Sequence, residues 1–307
     1  MADYDIAIIG AGPAGLTAAI YTSRGGWKTA VIEKMGAGGQ CALTDLIENY
    51  PGFPNGINGY ELASRMQEQA EHFGAKFEFD TVGNVAKNPD GIFEIKTPYK
   101  TITARSVIIA TGVSPKKLGV PGEDGFIGRG ISFCATCDGA FYRGKTVAVI
   151  GGGDGAVEEA IFLTRFAEKV YIIHRRDALR ATKVLQERAF NNPKIEIVWD
   201  SVVDKVNGKD ALQSLDIKNV KTSNISNLEV NGMFIYIGGT PNTSAFPDVK
   251  KDDNGFIITE SEMKTNIEGL FAVGDCRVKV LRQVSTAVGD GAVGADFAGK
   301  YLEETQG

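Results

Sequence analysis

One short unit occurs twice in this chain, and it leaves few folds open. Ile6-Ala7-Ile8-Ile9 is an apolar run ending in Gly10, and Gly10-Ala11-Gly12-Pro13-Ala14-Gly15 follows it. Next come a helical pattern from Leu16 to Arg24, a glycine pair, and the apolar run Ala30-Val31-Ile32 closed by Glu33. The order strand, glycine turn, helix, strand predicts a βαβ unit. Gly151 stands 141 residues after Gly10, and the pattern recurs there without a gap. Val147-Ala148-Val149-Ile150 leads into Gly151-Gly152-Gly153-Asp154-Gly155-Ala156, a helix, and Val170-Tyr171-Ile172-Ile173. Gly10, Gly12 and Gly15 fall on Gly151, Gly153 and Ala156, and Glu33 falls on His174.

In such a turn the first glycine permits the tight bend. The second lets backbone approach a pyrophosphate, and the third small residue lets helix pack on strand, with phosphates at the helix N-terminus. Glycine turns are common, but both copies here follow strands and open helices, the context that makes the motif informative. The residue closing each second strand then selects the ligand. Glu33 would take a ribose hydroxyl pair and repel a 2′-phosphate, which suits FAD or NAD. His174 is followed by Arg175 and Arg176, with Arg180 one turn on, and guanidiniums suit a 2′-phosphate by charge and by bidentate hydrogen bonding. The competing reading is a solvated basic helix start balanced by Asp177. Opposite polarity at the two sites implies two cofactors, the second being NADPH.

The first fold is interrupted rather than finished when the second begins. Val107 to Gly112 reads as a buried strand and glycine turn, with Ala110, Thr111 and Gly112 at its end. Pro115 and Pro121 mark a crossover, and Met233 to Gly239 followed by Pro241 marks the return. Gly269 to Asp275 is then a strand ending in Gly274-Asp275, and Gln283 to Leu302 is a glycine-laced helix pattern. An aspartate at a strand's carboxyl end lies where α/β sheets bind ligands. The expected fold class is α/β: two Rossmann-like, three-layer ββα domains, the second inserted into the first. The boundaries are 1–114 with 244–307 for the first domain and 115–243 for the second. Residues 196–232 read as a β-meander in the inserted domain.

Cys134-Ala135-Thr136-Cys137-Asp138-Gly139 is the sharpest local signal. A CxxC pair can close a small disulfide ring, one sulfur attacking while the other resolves. A zinc site would need two more ligands from Cys41, Cys276, His72 and His174, with no second paired motif among them, so no metal is expected. Asp138 is placed to exchange protons with a thiolate, or alternatively to shape the turn before Gly139. Cys41 and Cys276 read as small buried hydrophobes. With 33 basic and 38 acidic residues and a net charge of −5, the 307-residue chain has no cationic surplus for nucleic acid. No apolar run reaches membrane-span length, and the acidic N-terminus lacks a signal-peptide pattern, so a cytoplasmic protein is expected.

At this point the sequence resembles the low-molecular-weight, bacterial-type thioredoxin reductases, class II of the pyridine nucleotide-disulfide oxidoreductases. The likeness runs through Gly10 to Gly15, Gly38-Gly39-Gln40, Glu48-Asn49-Tyr50-Pro51-Gly52, Ala110-Thr111-Gly112 and the CxxC segment. It continues through Gly151 to Ala156, His174-Arg175-Arg176-Asp177, Gly274-Asp275 and Arg282-Gln283. The resemblance implies a homodimeric, NADPH-dependent thioredoxin-disulfide reductase with one FAD per subunit and thioredoxin as protein substrate. It places FAD on Gly10, Gly12, Pro13, Ala14, Gly15, Glu33, Lys34, Gly39, Gln40 and Asn49. Ala110, Thr111, Gly112, Gly274, Asp275, Arg282 and Gln283 complete that set. It places NADPH on Gly151, Gly153, Asp154, Ala156, His174, Arg175, Arg176 and Arg180. Cys137 would face the flavin, Cys134 would attack the substrate, and Asp138 would be the acid/base. Because CxxC and the NADPH site share one domain, both must visit one flavin in turn. The expected hinges are Pro115 to Lys117 and Gly238 to Pro241. Reduction of another thioredoxin-like or glutaredoxin-like carrier, and a non-turnover flavin redox sensor, remain as alternatives.

Overall fold

A computed structural model describes residues 2–44, 47, 49–133 and 135–305. The chain forms two compact units, Met1–Ser114 with Thr240–Gly307, and Pro115–Gly239. Gly239–Pro241 pairs with Val113–Pro115 as a two-stranded ribbon.

The first unit opens with β1 (Tyr4–Ile9), α1 (Pro13–Arg24) and β2 (Thr29–Glu33). The helical turn α2 (Gly39–Ala42), helix α3 (Gly59–His72) and strand β3 (Lys76–Phe79) follow. Next come the hairpin β4 (Asn84–Lys87) and β5 (Phe93–Lys96), then the long strand β6 (Thr101–Ile109). The sheet runs β3-β2-β1-β6-β5-β4. Beta-6 is long enough to be shared: its first half pairs antiparallel with β5, and its second half pairs parallel with the returning strand Leu270–Ala272. Alternate residues serve opposite faces, as a two-residue period requires. Ile6, Ile8, Val31, Ile108 and Phe271 enter the core under the helices, while Ala7, Ile9, Ile32, Val107 and Ile109 enter the core on the other side.

The ribbon strand β7 (Val113–Pro115) leads into the second unit: the helical turn α4 (Glu123–Phe126), β8 (Ile131–Ser132) and the turn α5 (Ala135–Asp138). Then β9 (Thr146–Gly151), α6 (Asp154–Leu163), β10 (Lys169–Ile173), α7 (Lys183–Phe190) and β11 (Ile195–Val198) build a second parallel sheet. The antiparallel strands β12 (Ser201–Gly208), β13 (Leu212–Asn219) and β14 (Ile225–Glu229) form a separate three-stranded sheet. Beta-15 (Gly232–Tyr236) returns to the parallel sheet between β9 and β8. One core lies under α6 and α7, and another is shared between the parallel sheet and the meander. The meander therefore begins at Ser201, not at residue 196: Ile195 to Val198 pair in register with Val170 to Ile173 as the edge of the parallel sheet.

The chain re-enters the first unit through the ribbon strand β16 (Gly239–Pro241), adds β17 (Leu270–Ala272) and ends in α8 (Val284–Thr305). One of the glycines lacing α8 serves contact with α1: a Cβ on Gly291 would lie 2.3 Å from the Ala14 carbonyl oxygen. Only a residue without a side chain lets the two helices approach this closely.

Candidate functional site

In the first unit the carboxyl ends of β1, β2, β6 and β17 converge. Gly10 has φ +105°, and a Cβ there would sit 2.4 Å from the Ala110 carbonyl oxygen, so β6 closes directly over the turn. A Cβ on Gly15 would lie 1.9 Å from the Gly10 carbonyl oxygen, which presses the first turn of α1 against the strand end. Gly12 differs: it caps α1 with no side-chain acceptor, and a Cβ there would meet nothing within 4 Å. That leaves a helix N-terminus with open space in front of it, the arrangement that accepts phosphate. Gly39 packs beside it, its Cβ position 3.4 Å from Gly12 Cα, and the Gly38 N–H donates to the Ala11 carbonyl at 2.7 Å.

Glu33 ends β2 with its carboxylate already oriented. Oε2 accepts the Ala11 N–H at 3.0 Å, and Oε1 accepts the Lys34 and Met35 N–H groups at 2.8 and 3.2 Å. A carboxylate carries four acceptor positions, so it retains capacity for a ribose hydroxyl. From the returning segment, Asp275 presents a buried Oδ1 without a hydrogen-bond partner, and burial raises its carboxyl pKa against the opposing pull of Lys279 and Arg282. A buried orphan acceptor asks for a donor, and a polyhydroxylated cofactor chain supplies one. Asn49 Nδ2 donates to Gln283 Oε1 at 3.0 Å, joining two residues 234 apart in sequence, and Arg282 Nε donates to the Asp275 carbonyl at 3.3 Å. The residues present thus fit a dinucleotide with a ribityl or ribose portion.

Two residues that the motif reading passed over hold this site. Asp290 on α8 accepts the Gly274 N–H at 3.1 Å, Lys279 Nζ at 2.7 Å and Arg277 Nη1 at 3.3 Å, all on Oδ2, and so fixes the Gly274-Asp275 loop. Asn242 accepts from the Ser114 hydroxyl at 2.7 Å and donates Nδ2 to the Thr111 carbonyl at 3.0 Å, while its N–H donates to the Gly112 carbonyl. The signal available in sequence was an acid within a glycine-laced helix, and an asparagine after Pro241.

In the second unit the turn repeats. Gly151 has φ +151°, and a Cβ there would lie 2.4 Å from the Tyr236 carbonyl oxygen. Gly153 caps α6 and, like Gly12, faces open space. Ala156 holds the third position with its own Cβ accommodated in the core. The basic segment is a loop ahead of α7, not the start of a helix. It is strapped onto the turn: the Arg180 and Ala181 N–H groups donate to the Gly152 carbonyl at 2.6 and 3.1 Å, and the Thr182 N–H donates to Asp154 Oδ1 at 2.6 Å. Asp154 thereby orders the loop beside the turn.

Arg175, Arg176 and Arg180 are exposed, and no ion pair among the described residues engages them. Asp177, the neighbouring acid, pairs instead with Lys221 at 3.2 Å. His174 does not join the guanidiniums: its ring is 4 % exposed and packs on Gly152, where an added Cβ would lie 2.4 Å from Nδ1. Burial holds its pKa below the usual imidazole range, with Arg180, Arg176 and Arg175 acting in the same direction.

Cys134 lies outside the described residues, as do the side chains of Thr136 and Cys137. The backbone from Ala135 to Asp138 forms the helical turn α5, and Gly139 packs closely behind it, its Cβ position 3.2 Å from Leu163 and 3.4 Å from Phe162. Asp138 is half-buried and adds to the upward shift of the Tyr142 and Tyr236 phenols, which burial chiefly causes. Cys41 and Cys276 are both buried free thiols pushed up to about 11 by burial, the state of inert packing cysteines.

Known proteins share this architecture. Residues 4–291 match the family described as pyridine nucleotide-disulphide oxidoreductase. The chain is 46% identical over 304 residues to a thioredoxin reductase of Treponema pallidum, covering 99% of each chain. It is 47% identical over 307 residues to one of Bacillus subtilis, covering 99% of this chain and 96% of the other. The crystal structure of Lactococcus lactis thioredoxin reductase in its FR conformation superposes with a TM-score of 0.95 at 46% identity, covering 98% of this chain and all of that one.

Proposed function

The chain belongs to the pyridine nucleotide-disulphide oxidoreductase family, and from that premise we propose that it is an NADPH-dependent thioredoxin reductase carrying FAD. The observation that carries the reading is the pairing, within one chain, of two helix-opening glycine turns of opposite polarity with a CxxC turn on the second unit. When bound, FAD supplies the two-electron relay between the hydride of NADPH and the Cys134–Cys137 disulfide. The protein's own contributions follow from its residues. Glu33, preset by three backbone N–H groups, selects an adenosine ribose without a 2′-phosphate. Asp275 offers its buried acceptor to the ribityl side of the cofactor. Gly153 at the start of α6 receives the NADPH pyrophosphate, and Arg175, Arg176 and Arg180 hold its 2′-phosphate.

Cys137 takes electrons on the flavin side, and Cys134 attacks the thioredoxin disulfide as a thiolate. The resulting mixed disulfide is broken by Cys137, which releases dithiol thioredoxin and restores the Cys134–Cys137 bond. Asp138 takes up and returns the proton. Alternate access of CxxC and NADPH to one flavin calls for rotation about the two crossovers, Pro115 to Lys117 and Gly238 to Pro241. A homodimer and a cytoplasmic location complete the proposal, the latter because a dithiol reductant works in a reducing compartment.

The test is NADPH oxidation coupled to thioredoxin disulfide reduction. Wild-type protein turns over thioredoxin, and Cys137→Ser reduces that turnover by at least about 10³-fold while NADPH still bleaches the bound flavin. Thioredoxin turnover surviving in Cys137→Ser refutes the mechanism. Flavin reduction by NADPH with no thioredoxin turnover in the wild type favours another carrier or a redox sensor.

A further inference from the structure

Tyr236 is the last residue of β15, and it touches both functional elements of the second unit. Its backbone lies over the nucleotide turn: Tyr236 pairs with Gly151 in register, and its carbonyl oxygen is what forbids a side chain at Gly151. Its side chain runs to the redox motif. The Tyr236 hydroxyl accepts the Ala135 N–H at 2.8 Å, at the first residue of the turn that carries Cys137. Ala135 is fully buried, so that N–H has no access to water if the hydroxyl is removed. At the other end of the turn, Gly139 packs against Phe162 and Leu163 of α6. The CxxC turn is thus tied down at its front by one hydroxyl and at its back by close packing.

We infer that Tyr236 is a positioning residue for the redox disulfide, holding the Ala135 end of the turn so that the two cysteines stay within bonding reach. The inference rests on the thioredoxin reductase reading and concerns a residue outside both nucleotide motifs and the CxxC motif. An anchored turn keeps the effective concentration of one thiol at the other high, which favours the closed disulfide over the open dithiol. A loosened turn lowers it. The hydroxyl is the anchor, since the ring alone would pack equally well as phenylalanine.

The experiment uses FAD-loaded protein and the isosteric substitution Tyr236→Phe. In a glutathione redox buffer, two glutathione thiols reduce the Cys134–Cys137 bond to two protein thiols and form one glutathione disulfide. The oxidised fraction is read by acid quench, alkylation and mass measurement. Tyr236→Phe is expected to move this equilibrium toward the dithiol by about fivefold, some 20 mV for a two-electron couple. Bleaching of the flavin by NADPH stays within about twofold of wild type, since the Tyr236 backbone still shapes the nucleotide turn. No shift, or a shift toward the disulfide, overturns the inference. So does an equal loss of flavin bleaching, which would make Tyr236 a support of the nucleotide turn instead. A measurement on unsubstituted protein stands beside the variant: the Ala135 amide is expected to exchange with deuterium as slowly as the amides of β9, and rapid exchange overturns the inference. Absence of thioredoxin turnover in the wild type would instead strike the functional reading, which the redox-buffer equilibrium does not measure.

Discussion

The two glycine turns have nearly the same backbone and opposite surroundings. Gly12 and Gly153 both cap their helices in extended conformation, with ψ 179° and −179°, and both face open space. Gly10 and Gly151 both lie under a carbonyl of the neighbouring strand, Ala110 in one unit and Tyr236 in the other, at the same 2.4 Å from a would-be Cβ. The turns diverge at the third position and at the end of the following strand. Gly15 is pressed on the Gly10 carbonyl, whereas Ala156 keeps a methyl. Glu33 is preset by backbone N–H groups, whereas the guanidiniums of the second site stand exposed on a strapped loop and the histidine at the matching position is folded inward. The backbone of the turn is therefore the same in both units, and what differs is the polarity of the groups about 20 residues downstream, where such folds read their ligand.

The largest effect that separates the turns is at their third positions. Gly15→Ala forces a methyl onto backbone that has no room to yield, and the variant is expected to purify without FAD or to fail to fold, read by the flavin absorbance-to-protein ratio. Ala156→Gly removes a methyl from a helix that tolerates it, at about 0.5–1 kcal/mol by denaturant unfolding. FAD retention in Gly15→Ala would break the comparison at its root. The next effect concerns polarity. Arg175→Ala with Arg176→Ala removes charge-assisted hydrogen bonds worth about 1.5–3 kcal/mol each, so the KM for NADPH rises by roughly 10²-fold or more while that for NADH changes less than about threefold. An equal rise for both coenzymes would show that the loop supports the turn rather than reading the 2′-phosphate.

The smallest effect is the acid sensitivity of His174. Burial lowers its folded-state pKa below the ordinary 6.5, so the unfolded chain binds the proton more readily. Its contribution to stability is complete above pH 6.5 and declines as pH falls below that value toward the folded pKa. His174→Gln is expected to flatten the loss of Tm between pH 7 and 5.5 relative to wild type. A parallel loss in both proteins would assign the acid sensitivity to other groups.

Much of this was written in local patterns. Period-two apolar runs and glycines in left-handed geometry specify strands and turns from their immediate neighbours, so both βαβ units and the return at Gly269 to Asp275 could be read directly. The packing reading of Cys41 and Cys276 matches their burial. Other features depend on partners far away in sequence. Whether Ile195 to Val198 joins the meander or the parallel sheet depends on an edge presented by β10. Asp177 neutralises Lys221, 44 residues away, and not its arginine neighbours. Asp290 reaches the Gly274 loop only because α8 lies along α1.

By itself the sequence determined that two dinucleotide turns, one acidic and one basic at the strand end, flank a CxxC pair, with the first fold resuming after the second. The turns and their strand-end residues are properties of backbone conformation and residue chemistry within about 30 positions, where chain connectivity already holds the groups together, and the resumption follows from the order of the segments along the chain. Only the tertiary structure decided which carboxylates are preset, which cations are left free, that His174 is a packing residue, and that Tyr236 ties the nucleotide turn to the redox turn. Those outcomes depend on burial and on contacts across the fold, and burial is decided by how the layers pack.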